Sequence, residues 1–193
     1  LSYYIMLAPL YPLYILYKYL IDCYLYIKQN SFFVYNNKYY YIMDQTKGKI
    51  GFTAGNFDLI HPGYIYTFEA AKKECDYFIV FLHADPSATR YTKYKPVIPL
   101  HERYKTLMAI EDVDEVVTYE TEEDLLKLIE FFKPDVRILG DDYIGKRFTG
   151  DHLPIKVVYT TRSHGWSTTK LKNMITRMTM KQNPNVLKDK KWE

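Results

Sequence analysis

Three short stretches of this 193-residue chain gather the residue types that handle phosphate. The first is Gly55-Asn56-Phe57-Asp58-Leu59-Ile60-His61-Pro62-Gly63-Tyr64. The second is Gly140-Asp141-Asp142-Tyr143-Ile144-Gly145-Lys146. The third is Arg162-Ser163-His164-Gly165-Trp166-Ser167-Thr168-Thr169. The first and third read as turns that enter a helix, where unpaired amides and the positive end of the helix dipole suit an anion. Ser167 is a good N-cap, and Thr168 and Thr169 add hydroxyls beside those amides. Arg162 offers a paired contact to phosphate oxygens. A Ser-Thr-Thr run alone is most often an ordinary helix cap. Preceded by Arg and Gly, and matched by a second turn of the same kind, it points to phosphate.

The elements that must carry these turns alternate. Ile50 to Ala54 reads as a buried strand, and Gly63 to Glu74 as a helix with Ile65, Phe68 and Ala71 on one face. Tyr77 to Leu82 is a continuous apolar run, as expected of a strand buried on both faces. A helix follows over Leu100 to Ile110, then a strand over Glu115 to Thr118. Thr121 caps a third helix, with Glu123 and Asp124 in its first turn, and Pro134 ends it after Phe132. Val136 to Leu139 and Lys156 to Tyr159 are short strands, and Ser167 to Met178 is the last helix. Strands and helices alternating at this length imply an α/β fold, a Rossmann-like open parallel sheet of about five strands with helices on both faces. In such a sheet ligands bind beyond the carboxyl ends of the strands, where all three stretches fall.

Composition narrows the partners. The net charge is +3, with basic and acidic residues interspersed and no basic stripe of the kind that follows a nucleic-acid backbone. A small phosphorylated compound is the expected ligand, and no nucleic acid. The two cysteines, Cys23 and Cys75, make neither a metal-ligand spacing nor a disulfide framework, which favours a reducing, cytoplasmic setting. His83 and His101 have no motif around them and read as structural or surface residues, and His152 is unassigned. Residues 1–42 differ in kind, holding 12 of the 21 tyrosines. Pro9 and Pro12 interrupt their uncharged start, and neither a spanning helix nor a secretory signal fits. They are expected to precede the natural start at Met43. The alternative is a tyrosine-rich membrane anchor, the one case in which membrane contact is expected. Residues 43–178 form the expected domain, and 179–193 a frayed tail.

The segment Gly55 to Tyr64 resembles the Gly-x-Phe-Asp-x-x-His-x-Gly-His signature of the cytidylyltransferase-like nucleotidyltransferases. Arg162 to Thr169 is similar to the second signature of the glycerol-3-phosphate cytidylyltransferases, and Gly140 to Lys146 to their Gly-Asp-Asp-Trp segment. The match runs in order from about residue 49 to 173. The resemblance implies that His61 stabilises charge on the α-phosphate, that Asn56, Phe57, Pro62, Gly63 and Tyr64 line the nucleotide pocket, and that Asp141 lies near the base or ribose. It implies that Arg162, Ser163, His164, Gly165, Trp166, Ser167, Thr168 and Thr169 hold the outer phosphates. Lys95 contacts the nucleotide phosphates in this reading, while Lys93 and Arg103 serve the acceptor. No metal ligand is assigned, and Mg2+ is expected to accompany the nucleotide. A homodimer is expected, as small domains of this family often form. The implied reaction joins CMP from CTP to glycerol 3-phosphate or a similar phosphorylated small alcohol.

Two departures matter. Tyr64 stands where the signature has its second histidine; a phenol offers a neutral hydrogen bond where an imidazole can offer a cation. Either Tyr64 serves as a neutral donor, with His164 supplying charge from the opposite loop, or the domain is a catalytically weak nucleotide-binding module. The segments Lys95-Pro96-Val97-Ile98-Pro99 through Arg103 and Val113 to Val117 also resemble the adenylyltransferase domain of heptose-phosphate nucleotide synthases. That resemblance implies ATP and a sugar 1-phosphate.

Overall fold

The computed structural model describes residues 48–88, 90 and 93–183, and the backbone of residues 32–35 and 38–41. The chain divides into two compact units, Leu1–Thr46 and Lys47–Glu193. In the first, β1 (Phe32–Tyr35) pairs with β2 (Lys38–Tyr41) in antiparallel register, Phe32 opposite Tyr41. Both strands are aromatic runs that the composition of this segment obscured. The rest of the reading for residues 1–42 lies outside the described residues. No helix among the described residues is long and apolar enough to cross a membrane.

The second unit runs β3 (Ile50–Gly55), α1 (Pro62–Lys72), β4 (Tyr77–His83), a 3-10 turn (Pro86–Ala88), α2 (Leu100–Met108), β5 (Glu115–Tyr119), α3 (Glu122–Phe132), β6 (Val136–Gly140), a second 3-10 turn (Asp141–Tyr143), β7 (Lys156–Thr160) and α4 (Thr168–Gln182). Its five strands are parallel in the order β5-β4-β3-β6-β7. Period-two alternation along β4 sends Phe78, Val80 and Leu82 to one face, where they meet Phe68 and Ala71 of α1 and Leu107 of α2. Phe81 goes to the other face and packs on Phe132 of α3, ring centroids 5.5 Å apart, and on Phe52 of β3. Helices therefore cover both faces, as the alternation of elements implies.

Local chemistry sets the boundaries. Thr121 and Asp124 form a reciprocal capping box at the start of α3. Lys133 then takes a left-handed φ of 46°, donates its amide to Ile129, and is followed by Pro134. One expectation is corrected. The helix continues through Gln182, so residues 179–182 are helical rather than frayed. The amide of Asn183 still reaches the carbonyl of Thr179, and Lys181 favours the negative end of the dipole. Residues 184–193 lie outside the described residues.

The strand order reverses between β3 and β6. Neighbouring loops part at such a switch point and leave a crevice at the carboxyl edge of the sheet. The turn after β3, the 3-10 turn after β6 and the loop after β7 all open there.

Candidate active site

His61 takes an extended conformation (φ −142°, ψ 164°) as the residue that precedes α1, and Pro62 fills the first helical position. Just before it, Phe57 is held at φ 44°, which is costly for a bulky residue. Its buried ring sits against Tyr64 and Phe68, and a Cβ on Gly55 would approach it tightly, at 3.2 Å from Cε2. Packing of that ring offsets the cost and holds the path of the turn. Asp58 is also buried; its Oδ1 accepts the amide of Ile98, and its Oδ2 lies 2.5 Å from Lys172 Nζ on α4. Burial works to raise the Asp58 carboxyl, but those amide and ammonium partners outweigh it and hold the group below the usual carboxylate range.

On the facing side, Ser167 caps α4 by accepting the amide of Lys170. The first turns of α1 and α4 meet at Thr168. Its hydroxyl lies 3.2 Å from the Tyr64 hydroxyl and 3.5 Å from Nε2 of His61. His61 is buried and stacks on Tyr64 at 4.3 Å, with Trp166 beyond it at 6.5 Å. Burial, more than any neighbouring charge, pushes the His61 imidazole below its ordinary value, and His164 and Arg162 act in the same direction. His61 is therefore a neutral donor or acceptor at neutral pH. Burial likewise raises the Tyr64 phenol, leaving it neutral.

Gly63 lets the two imidazoles approach. A Cβ there would lie 2.6 Å from Cε1 of His164 and 3.0 Å from Cε1 of His61. The loop carrying His164 turns through Gly165 at φ 76°, whose amide returns to the carbonyl of Arg162 and whose own carbonyl accepts Lys170 Nζ. Arg162 spans to the 3-10 turn after β6. Its amide reaches Asp141 Oδ2, and its guanidinium pairs with Asp142 at 3.1 Å.

The structure thus brings His61, Gly63, Tyr64, His164, Trp166 and Thr168 into one cluster, with Arg162, Asp141 and Asp142 linked beside it. Ser163 and Thr169 belong to the same loop and helix start; the Ser163 amide is taken by Thr161. Lys93 and Lys95 stand exposed on the loop leading to α2, and the charge of Lys95 reaches Asp85.

Arg103 is a different matter. It is 2% exposed, and its guanidinium donates to the carbonyls of Ile98, Asn56, His83 and Ala84. Expected at the acceptor, Arg103 here commits its planar fork of donors to stitching the loops after β3 and β4 to α2. Asn56 contributes its carbonyl to the same knot. His83 is buried, stacked on Tyr119 and bonded to the carbonyl of Glu120, so it is structural. Cys75 is a free, buried thiol pushed up to about 11 by burial. Sequence reasoning gave no role to Asp58, Lys170 or Lys172. Asp58 sat inside the quoted signature, while the two lysines carry no local signal beyond lying on the last helix.

Among the described residues no group of three or more His, Cys, Asp or Glu could hold a metal ion. Asp58 is engaged by Lys172 and Asp142 by Arg162. These residues do not build a magnesium cage of their own. A magnesium ion held mainly by phosphate oxygens and water would ask little of them.

Two facing helix starts, a buried imidazole and an arginine at the switch point of a parallel sheet define a nucleotidyltransferase-like site. The cytidylyltransferase-like family model matches residues 52–183, and the chain belongs to that family. Among curated relatives it is 38% identical over 135 residues to the bifunctional protein HldE of Caulobacter vibrioides, covering 67% of this chain and 27% of that protein. It is 37% identical over 131 residues to the bifunctional protein HldE of Campylobacter jejuni, covering 67% and 28%. The chain thus spans little more than a quarter of the length of these relatives. A crystal structure of the lipopolysaccharide core biosynthesis protein from Thermoplasma volcanium matches with a TM-score of 0.50 at 25% identity, covering 58% of this chain and 95% of that one.

Proposed function

We propose that this domain transfers AMP from ATP to a sugar phosphate and releases pyrophosphate. The observation that carries the transfer chemistry is the meeting of the α1 and α4 N-termini at Thr168, with the His61 ring between them. Two helix starts aimed at one place, with neutral donors and an arginine nearby, suit a chain of phosphates. The acceptor phosphate oxygen attacks the α-phosphorus in line; the bond from the α-phosphorus to the bridging oxygen breaks, and pyrophosphate leaves with its electrons. No side chain need act as nucleophile. His61 and Thr168 donate hydrogen bonds to oxygens that gain charge, Arg162 steadies the outer phosphates, and the helix ends hold the array in place. Magnesium expected with the nucleotide would neutralise phosphate charge.

ATP with a sugar phosphate is preferred over CTP with glycerol 3-phosphate. Residues 95–103 and 113–117 resemble the adenylyltransferase domain of heptose-phosphate nucleotide synthases, and relatives named bifunctional protein HldE match over the same region. The similarity to the Thermoplasma lipopolysaccharide core biosynthesis protein favours a sugar acceptor too. The test is pyrophosphate release over four nucleotides and a panel of phosphorylated acceptors. ATP with a sugar 1-phosphate should exceed CTP with glycerol 3-phosphate by at least about tenfold, a difference of about 1.4 kcal/mol in transition-state binding. The reverse order would restore the cytidylyltransferase reading, and no release from any pair would leave a nucleotide-binding module.

A further inference from the structure

The phosphate site carries a second imidazole, supplied from another element than the signature uses. We infer that His164, on the loop before α4, takes the place of the histidine replaced by Tyr64 and donates from Nε2 to the phosphate that His61 contacts. The inference deepens the transfer reading and rests on it for its catalytic part.

Tyr64 has turned to another task. Its hydroxyl is held by Thr168, and its ring is packed among His61, Phe57 and Phe68. The position next to it in the helix turn is occupied from across the crevice. Cε1 of His164 and Cε1 of His61 both fall within 3.0 Å of the point where a Gly63 Cβ would be. The two rings therefore share the space over the first turn of α1, where an anion is favoured. His164 is also oriented. Its Nδ1 accepts the amide of Trp166 at 3.1 Å, and Tyr66 packs on the ring at 5.4 Å. With Nδ1 accepting, the neutral ring carries its proton on Nε2, one bond from the Cε1 that faces Gly63. A ring held by a backbone amide on one nitrogen and presenting a donor on the other is preorganised for an oxyanion.

Two measurements test this on the full chain. In the first, inorganic pyrophosphate is titrated while the imidazole Cε1–H signals are followed by NMR. The His164 and His61 signals should move with one midpoint while His83, buried against Tyr119, stays as an internal control. A His164 signal that does not move overturns the inference. The second uses turnover. His164→Asn keeps an oxygen to accept the Trp166 amide but removes the Nε2 donor. Its kcat should fall about 100-fold, and Tyr64→His in the same chain should recover about tenfold or more; a His164→Asn rate within roughly threefold of the parent overturns the role. If the parent releases no pyrophosphate from any pair, the transfer reading fails and the titration alone decides His164.

Discussion

In the proposed reaction the chemistry turns on His61, and the environment of that residue makes a measurable claim. Its ring is buried between Tyr64 and Thr168, and burial holds the imidazole below its ordinary value of 6.5. The unfolded chain would take up a proton near 6.5 while the folded domain still resists, so the stability tied to neutral His61 is whole above that pH. It is lost as pH falls from there through the folded value. An NMR titration should accordingly place the His61 midpoint below 6.5; a midpoint above it would mean that a partner, and not burial, dominates. His61→Ala should lower turnover by about 100-fold with the fold intact, the scale of losing one transition-state donor. Near-normal turnover in that variant would remove His61 from the reaction. The neighbouring Tyr64 makes a tertiary contact that residue type alone does not show. Its place in the signature suggests a phosphate donor, yet its hydroxyl is already shared with Thr168.

At the scale of elements, two devices assemble the crevice. One is the pair of helix starts. Arg162→Ala and Thr168→Ala should each weaken binding of the nucleotide, because each removes a donor close to the start of α4. Calorimetry with unchanged affinity in both variants would displace the triphosphate from that helix. The other device is Arg103, which ties the loop after β3, the loop after β4 and the entry to α2 through backbone carbonyls. Replacing it by methionine keeps much of the length but leaves buried carbonyls unpaired, at a cost of about 1–3 kcal/mol for each one. Chemical denaturation should therefore show a loss of several kcal/mol in Arg103→Met. A loss confined to turnover, with stability unchanged, would return Arg103 to the acceptor site.

For the whole molecule, the five-stranded sheet and its helices lie within Lys47–Glu193, and among the described residues the hydrophobic cluster around Phe68, Phe78 and Leu107 is built from that unit. A chain beginning at Met43 should fold and match the parent in turnover, because both core faces and all three site loops remain. Insolubility or lost activity of that shortened chain would show that the first 42 residues pack on the domain. The reversal of strand order beside β3 explains why loops far apart in sequence share one crevice.

Local patterns in the sequence were enough for the strands and helices of the second unit, apart from the last turn of α4. The continuous apolar run from Tyr77 to Leu82, the Thr121 cap, Pro134 and the Ser167 cap act over a few residues, so their consequences follow from spacing alone. The same is true of the turn from Gly55 to Tyr64, whose residue types mark it as a strand-to-helix turn of the family signature before any fold is known. Only tertiary structure decided how these parts meet. Thr168 lies 107 residues from His61, and His164 comes over Gly63 from the far side of the crevice. Nothing in their spacing encodes either contact. The same holds for Arg103, whose surface-like place on an amphipathic helix gave no sign that its guanidinium would be buried among carbonyls from loops up to 47 residues away. Periodicity reports which face of an element is apolar. Which elements then face each other depends on strand order and crossover direction, and those are set by packing of the whole sheet.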